Sequence, residues 1–247
     1  MSMKRVLGCI KKADRDYNLI EENDIIGVGI SGGKDSLVLL EALNIYKRFA
    51  GKKFEVIGIH VKMGFPNMDL SPVVEYFKNK DMRLEVFDND IYSILKQHPT
   101  SKGQLPCSIC SRMKKAAVNQ AAKSLNCNKV AFAHHAEDAI ETLLMNAIYG
   151  GRVATFSPRM HLDNIDIDFI RPLVYARENW ISMAAKKLEI PVVVSTCPND
   201  KHTQREEMKK MLKDLYRKYP SAKDNFLLML HNDSKFDLWH PIKNEEE

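Results

Sequence analysis

Short apolar runs alternate with amphipathic stretches along most of this chain. Five of these runs have the length and the β-branched or aromatic content of strands: 25–30, 54–61, 83–87, 129–133 and 191–194. The segments between them have the spacing of helices. Strands that alternate with helices indicate parallel βαβ units with helices on both faces of the sheet. The sequence therefore predicts an α/β fold with a doubly wound, mostly parallel sheet.

The same pattern divides the chain into three parts. Residues 1–23 are predicted to form an N-terminal helix packed on the core, and residues 24–199 the central domain. Residues 200–247 are predicted to be a helical C-terminal segment of the same compact unit. Residues 152–172 interrupt the alternation as an irregular or hairpin excursion. A chain of 247 residues is long enough to bury a substantial core.

Small and polar residues follow most of the predicted strands. The loop 31–36 follows the first strand, His60 ends the second, and Cys197 follows the last. The fourth strand ends at Ala133 and leads into 134–138. Because the carboxyl ends of parallel strands meet at one edge of a sheet, we expect these residues to face one crevice.

The loop 31–36 reads Ser-Gly-Gly-Lys-Asp-Ser and stands between a predicted strand and a predicted helix. Backbone N–H groups and the N-terminus of a helix form an anion site in such a turn. Glycines allow a phosphate to approach the backbone, Lys34 adds a charge, and Ser31 and Ser36 add hydroxyl donors. The spacing differs from that of the common P-loop. The alternative is a structural strand–helix turn with a Gly-Gly bend and an aspartate cap.

Composition narrows the class of protein without defining its partner. Apolar residues make up 45% and charged residues 28%, which is typical of a soluble globular protein. No apolar run reaches the roughly 18 residues of a membrane span, and the apolar core of the N-terminus is too short for a signal peptide. We expect a cytoplasmic protein. The net charge of +5 permits a nucleic-acid partner but does not show one.

Five cysteines are an odd number, and metal or catalytic use is more common than a disulfide framework in such a chain. Cys107 and Cys110 open a predicted helix, where the dipole favours thiolate. The predicted sheet brings Cys197 to the same crevice. Three interpretations of these cysteines are open: a zinc site completed by His135 or His202, a redox pair, or an iron–sulfur cluster with one iron lacking a protein ligand.

The loop 31–36 resembles the PP-loop of the ATP pyrophosphatase superfamily, which binds ATP and activates a substrate as an adenylate. The chain as a whole is similar to the tRNA 2-thiocytidine synthetase family, with the tRNA 2-thiouridine synthetases next. The matching pieces span most of the chain: 31–36, 107–115, 134–142, 149–151, 170–173 and 204–205. The chain has no cysteines for the terminal zinc fingers of the 2-thiouridine enzymes, which favours the 2-thiocytidine branch. Val194 stands where a further cysteine is frequent in that branch.

The resemblance implies an adenine nucleotide alpha hydrolase-like fold and ATP-dependent thiolation of tRNA. The C2 oxygen of a cytidine in the anticodon loop, at position 32, is adenylated and then replaced by sulfur. Residues implied to bind ATP and Mg²⁺ are Ser31, Gly32, Gly33, Lys34, Asp35, Ser36, His60 and Ala133. Those implied to be catalytic are Lys114, Asp138 and Asp35, and those implied to hold a [4Fe–4S] cluster are Cys107, Cys110 and Cys197.

The implied partners are tRNA, ATP and a sulfur donor, either sulfide or a cysteine-desulfurase system, with a homodimer as a further expectation. Two alternatives share the fold: a tRNA 2-thiouridine synthetase and a lysidine-synthetase-like tRNA ligase. A third, from another class, is a zinc-stabilised nucleotide- or RNA-binding protein without turnover.

The stretch 201–219 is the most basic segment near the C-terminus. Its apolar residues form one stripe at helical spacing: Met208, Met211, Leu212, Leu215 and Tyr219. The other face is basic. Such a face is commonly only solvated, but the implied tRNA substrate favours contact with phosphates.

Overall fold

The computed structural model describes residues 2–100, 105–194, 196–198 and 203–232. The sequence predictions that concern Lys201, His202 and residues 233–247 lie outside these ranges.

Within the described residues, six strands form one sheet in the order β3-β2-β1-β4-β6-β5. The strands are β1 Asp24–Ile30, β2 Phe54–Lys62, β3 Leu84–Asp88, β4 Lys129–Ala131, β5 Arg159–Leu162 and β6 Ile167–Ile170. All neighbouring pairs are parallel except β5 and β6, which form an antiparallel hairpin. The predicted α/β class with a mostly parallel sheet is therefore confirmed.

Helices connect and flank these strands. They are α1 Ser2–Tyr17, α2 Lys34–Tyr46, α3 Ser71–Lys78, α4 Ile91–Gln97, α5 Cys107–Ser124, α6 Ala136–Gly150, α7 Glu178–Lys187, α8 Gln204–Lys218 and α9 Ala222–Met229. No helix among the described residues is both long and apolar enough to cross a bilayer.

Two apolar clusters bury the sheet, because successive side chains of a strand point to opposite faces. Val56 of β2 belongs to the cluster that α1, α2 and α7 complete. Ile57 belongs to the cluster that includes Val118 and Ala122 of α5. Each fully buried aliphatic side chain of these clusters contributes roughly 1.5–3 kcal/mol relative to an exposed one. The two faces together hold the carboxyl edge of the sheet in place.

The prediction of a strand at 191–194 is wrong. The edge that such a strand would need is occupied, because β1 pairs with β2 on one side and β4 on the other, and β6 covers the outer side of β4. The segment instead runs beside the loop 31–36, where the Val193 N–H donates a hydrogen bond to the Gly32 carbonyl at 3.0 Å. The excursion at 152–172 does contain a hairpin, as predicted, and its second strand joins the main sheet.

The C-terminal helices α8 and α9 pack on α6. Met208 and Leu212 of α8 are buried against Ile140 of α6. The predicted apolar stripe of α8 is wrong at Met211 and Tyr219, which are 46% and 51% exposed. The helix therefore buries a narrower face than its sequence indicates. The division of the chain at residues 24 and 199 stays a prediction.

Candidate active site

The order of the strands reverses direction at β1. From β1 the chain continues to β2 and β3 on one side, whereas β4 lies on the other side. In open α/β sheets such a switch point opens a crevice at the carboxyl ends of the strands. A cavity of about 230 Å³ lies there, lined by Gly29, Ile30, Ser31, Asp35, Ser36, Lys114, Val118, Phe132, Ala133 and His134.

The loop between β1 and α2 is held by its own serines. The Ser36 hydroxyl accepts a hydrogen bond from the Ser31 N–H at 3.1 Å and donates one to the Gly33 carbonyl at 3.0 Å. The Ser31 hydroxyl accepts a hydrogen bond from the Gly33 N–H at 3.3 Å. Helix α2 starts at Lys34, directly after the loop, so its first-turn N–H groups have no partner within the helix. The loop is thus arranged to bind an anion at the wall of the cavity.

Gly32 has a φ of +85°, a left-handed conformation that favours glycine. A Cβ at this position would lie 3.2 Å from the Cβ of Val193. The absence of a Cβ at Gly32 allows Val193 to approach closely, and the hydrogen bond from the Val193 N–H holds residues 191–194 against the loop. Cys197 follows three residues after that segment.

Lys34 and Asp35 carry opposite charges at the start of α2. The Lys34 ammonium lies 3.1 Å from Asp35 Oδ2 and 3.0 Å from Oε1 of Glu178, the first residue of α7. Burial alone would lower the pKa of Lys34, but the two carboxylates outweigh burial and raise it. Asp35 Oδ1 is buried and has no hydrogen-bond partner in the described part of the chain. A carboxylate oxygen of this kind suits a hard cation such as Mg²⁺.

The start of α6 forms another wall of the cavity. His134 packs between Phe132 and Phe156, with ring centroids 6.0 Å and 5.0 Å away. Burial lowers the pKa of His134 to about 4, so its imidazole is neutral at pH 7. Asp138 Oδ2 accepts a hydrogen bond from the His135 N–H at 2.9 Å and thereby caps the helix.

A network of charges extends from α6 to the C-terminal helices. Arg205 of α8 reaches Asp138 at 3.2 Å and Glu141 at 3.3 Å. Lys209, one turn later, lies 3.2 Å from Glu178 Oε1. Glu141 is almost fully buried, and burial, aided by the neighbouring Asp138, raises its pKa to about 7. Sequence reasoning missed Glu141 and Glu178, because a carboxylate at such positions of a helix commonly only faces solvent or stabilises the dipole.

Lys114 reaches the cavity from α5. It lies one turn after Cys110, half-buried, and no salt bridge joins it to an acidic side chain of the described residues. Burial lowers the pKa of its ammonium. Lys114, Ser31 and Ser36 line the same cavity, and the catalytic role of Lys114 stays a prediction.

The three candidate cysteines lie near one another. Cys107 is exposed at the first position of α5, whereas Cys110 and Cys197 are half-buried. Burial raises the pKa of Cys110, and the neighbouring Cys197 and Cys107 raise it further. In the described ranges, no group of three or more His, Cys, Asp or Glu side chains is already arranged to hold a metal ion. The thiols are thus neighbours rather than a preformed ligand set.

His60 faces away from this cavity. Its Nδ1–H donates a hydrogen bond to the Ile30 carbonyl at 3.0 Å, and burial lowers its pKa. The side chain lies in the wall of a larger cavity of about 900 Å³, together with Met63, Phe65 and Leu70. Any contact between the end of β2 and a nucleotide would therefore come from the backbone.

Comparisons with known proteins identify the family and the fold of this chain. A family model described as a PP-loop domain matches residues 8–215. The tRNA-cytidine(32) 2-sulfurtransferase of Geobacter sulfurreducens is 35% identical over 231 residues, which are 93% of this chain and 90% of the relative. The enzyme of the same name from Geobacter metallireducens is 36% identical over the same shares.

Among solved structures, the U34-tRNA thiolase NcsA from Methanococcus maripaludis, determined with its [4Fe–4S] cluster, has a similar fold. The TM-score is 0.75 at 20% sequence identity, and the match covers 98% of this chain and 81% of that chain. At this identity the likeness concerns the fold.

Proposed function

This chain belongs to the PP-loop proteins and, among them, to the tRNA-cytidine(32) 2-sulfurtransferase family, and from this premise we propose that it thiolates C2 of cytidine 32 in tRNA with ATP. One observation carries the proposal. A single cavity at the switch point of the sheet is lined by the PP-loop on one side and by Lys114, one turn after Cys110, on the other. The nucleotide and the sulfur chemistry can therefore meet at the same place.

The PP-loop binds ATP through three kinds of group. The backbone N–H groups at the start of α2 and the Ser31 hydroxyl donate to phosphate oxygens, and the Ser36 hydroxyl, which donates to the Gly33 carbonyl, holds the loop in shape. Lys34 neutralises part of the phosphate charge. We assign Mg²⁺ to Asp35, whose Oδ1 is buried without a partner among the described residues. Gly32 and Gly33 keep the loop free of side chains, so the phosphates can reach the backbone.

The reaction takes place in two steps. The C2 oxygen of cytidine attacks the α-phosphate of ATP, a P–O bond forms, and pyrophosphate leaves. A sulfur nucleophile then adds at C2, and the C2–O bond breaks as AMP leaves. Lys114 supplies positive charge in the cavity as negative charge moves onto the phosphate oxygens.

Asp138 stays a prediction as a catalytic residue. Its Oδ1 accepts a hydrogen bond from Arg205, and its Oδ2 accepts one from the His135 N–H. These bonds support a role in holding His134 and its turn against the cavity. Such a role keeps the neutral imidazole in place beside the loop.

We further propose that Cys107, Cys110 and Cys197 hold a [4Fe–4S] cluster. Two thiols in the first turn of α5 and a third, three residues after the segment 191–194, are the soft ligands that iron–sulfur clusters need. Their mutual electrostatic effect on Cys110 supports a common site. When bound, such a cluster supplies one iron without a protein ligand, at which sulfide can be activated. The sulfur donor, sulfide or a cysteine-desulfurase system, and a homodimer stay predictions.

Single replacements of each candidate cysteine by Ser test the cluster. We expect each variant to lose iron, acid-labile sulfide and visible absorption after anaerobic reconstitution, and to lose 2-thiocytidine formation measured by mass spectrometry of tRNA nucleosides. Cys9→Ser and Cys127→Ala are controls, because Cys9 contacts the Tyr175 carbonyl and Cys127 is buried in the core. A Cys197→Ser protein with full iron and full activity would contradict the assignment. Zinc in place of iron in the purified protein would favour a zinc site formed by these cysteines.

The same assay separates the alternatives with the same fold. A substrate tRNA with cytidine at position 32 should be thiolated, and one with uridine at that position should not. Thiolation of uridine 34 in place of cytidine 32 would contradict the proposed substrate. Turnover without any sulfur incorporation would favour a ligase.

We propose that the exposed side of α8 contacts tRNA phosphates through Lys210, Lys213 and Lys218. Lys209, which shares this basic helix, is paired with Glu178 instead. The tRNA-binding role of α8 is thus assigned to its exposed lysines.

A further inference from the structure

One carboxylate oxygen joins the PP-loop to the C-terminal helices. Glu178 Oε1 accepts hydrogen bonds from the Lys34 ammonium at 3.0 Å and from the Lys209 ammonium at 3.2 Å. Lys34 lies in the phosphate-binding loop, whereas Lys209 lies on α8, more than 170 residues later in the chain. The fold therefore brings a second ammonium group next to the lysine of the PP-loop.

Glu178 is itself held in place. It is the first residue of α7, and its backbone N–H donates a hydrogen bond to Glu137 Oε2 at 3.0 Å. Helix α7 packs on α2, which carries Lys34, and α8 packs on α6, which carries Glu137. Four helices thus determine where the two ammonium groups lie.

We propose that Lys209 is a second cation for the phosphates of ATP, beside Lys34, with Glu178 as the residue that positions it. The inference rests on the proposed function, because it needs ATP in the PP-loop. A phosphate oxygen and a carboxylate oxygen accept the same charge-assisted hydrogen bond from an ammonium. A triphosphate carries several negative charges, and Asp35 next to Lys34 offsets part of the charge that Lys34 supplies. With Glu178 between the two lysines, the second ammonium makes the two positive charges of Lys34 and Lys209 equal to the two negative charges of Asp35 and Glu178.

The electrostatic surroundings keep both lysines charged. Burial alone would lower the pKa of Lys209, and Lys34 acts in the same direction, but Glu178 and Glu141 outweigh them and raise it. Glu178 is ionised at neutral pH, since Lys34 and Lys209 lower its pKa against the effect of burial. Two neighbouring ammonium groups can therefore stay protonated beside one carboxylate.

Lys209 differs from the other lysines of its helix. Lys210, Lys213 and Lys218 are exposed, and none of them forms an ion pair with another described residue. Lys209 is 41% exposed on its side chain and directed at the first turn of α7. Its ammonium meets the carboxylate that also binds Lys34, and no other lysine of α8 does so among the described residues.

Isothermal titration of ATP, pyrophosphate and AMP into the full-length protein with Mg²⁺ tests the proposal. We expect Lys209→Ala to weaken ATP and pyrophosphate binding by about tenfold, which corresponds to about 1.4 kcal/mol. The affinity for AMP should change by less than about twofold, because AMP lacks the β- and γ-phosphates that Lys209 is proposed to contact. Lys187→Ala, at an exposed position in the last turn of α7, is the control, and Lys209→Arg should restore most of the affinity. Wild-type affinity for ATP in Lys209→Ala would overturn the proposal.

A second experiment distinguishes direct contact between Lys209 and phosphate from an indirect effect of Lys209 on the position of Glu178. If Lys209 only positions Glu178, its replacement has no effect once the Glu178 carboxylate is absent. If Lys209 contacts phosphate, Lys209→Ala weakens ATP binding in the Glu178→Gln background as well, because the amide oxygen of Gln still accepts the hydrogen bond that positions Lys209, and this is the result we expect. An effect that disappears in that background would overturn the inference. Thermal unfolding of each variant shows that the fold is retained.

The remaining outcomes separate this inference from the proposed function. Weaker tRNA binding with unchanged ATP binding in Lys209→Ala would overturn the inference and assign Lys209 to the nucleic acid. Loss of ATP binding in Lys34→Ala together with wild-type ATP binding in Lys209→Ala would also overturn the inference, but it would not contradict the proposed function. Wild-type ATP binding in Lys34→Ala would instead remove the ATP site from the PP-loop.

Discussion

Replacement of Gly32 by Ala tests how the PP-loop and the segment before Cys197 depend on each other. Gly32 has a φ of +85°, and a Cβ there would lie 3.2 Å from the Cβ of Val193. Gly51, in the turn between α2 and β2, is the matched control. Its φ is +76°, and an added Cβ would meet no described atom within 4 Å. Both substitutions carry the same backbone cost, but only Gly32→Ala crowds a neighbouring segment.

The expected loss of stability is the sum of a backbone cost and a crowding cost. A non-glycine residue in the left-handed region costs roughly 1–2 kcal/mol of stability. Crowding at 3.2 Å adds about 1 kcal/mol or more, since Val193 is also tied to the Gly32 carbonyl by its N–H. For a chain of this size, 1 kcal/mol shifts Tm by roughly 2–4 °C. Gly51→Ala should therefore lower Tm by about 2–8 °C, and Gly32→Ala by at least about 2 °C more.

The effect on binding separates the variants further. We expect Gly51→Ala to bind ATP as the wild type does, because Gly51 is remote from the loop. Gly32→Ala should bind ATP more weakly and should also retain less iron after reconstitution, since residues 191–194 must move and Cys197 follows them. Differential scanning calorimetry, ATP titration and iron analysis measure these effects. Equal Tm values for the two variants, with wild-type ATP affinity in Gly32→Ala, would refute the reasoning.

Three further predictions concern the site and its surroundings. Lys114→Ala should abolish 2-thiocytidine formation by mass spectrometry and leave the Kd for ATP within a few-fold of wild type; retained thiolation would exclude a catalytic role. Burial lowers the pKa of His134 to about 4, so between pH 6.5 and pH 4 the unfolded chain binds a proton that the folded chain does not bind. The contribution of His134 to stability is therefore fully present above pH 6.5 and is lost as pH falls towards 4. When the pH is lowered from 7 to 5, the free energy of unfolding measured in urea should fall by about 1–2 kcal/mol less in His134→Asn than in the wild type. An equal fall in both proteins would contradict the burial of a neutral imidazole. Reversal of Lys210 and Lys213 to Glu should weaken tRNA binding and reduce its salt dependence without changing ATP binding, and unchanged affinity at physiological salt would leave those lysines only solvated.

The resemblance and the patterning together predicted the fold class, whereas the roles of the site residues stay predictions. Alternating apolar runs indicated parallel βαβ units, and the structure has them, because strand and helix periods are local properties of the sequence. The PP-loop, Lys114 and His134 were predicted to face one crevice, and they line one cavity. Such predictions succeed because a strand end and the helix that follows it lie at neighbouring positions of the chain.

Tertiary structure decided what depends on residues far apart in the chain. The run 191–194 has the composition of a strand, yet the edges of β1 and β4 are already paired, so its backbone meets Gly32 instead. Glu178 appears in the sequence as one more acidic residue at the start of a helix. Only the packing of α7 on α2 and of α8 on α6 places its carboxylate between Lys34 and Lys209. Local propensity cannot encode such contacts, because they exist only after the helices pack and exclude water from the charges between them.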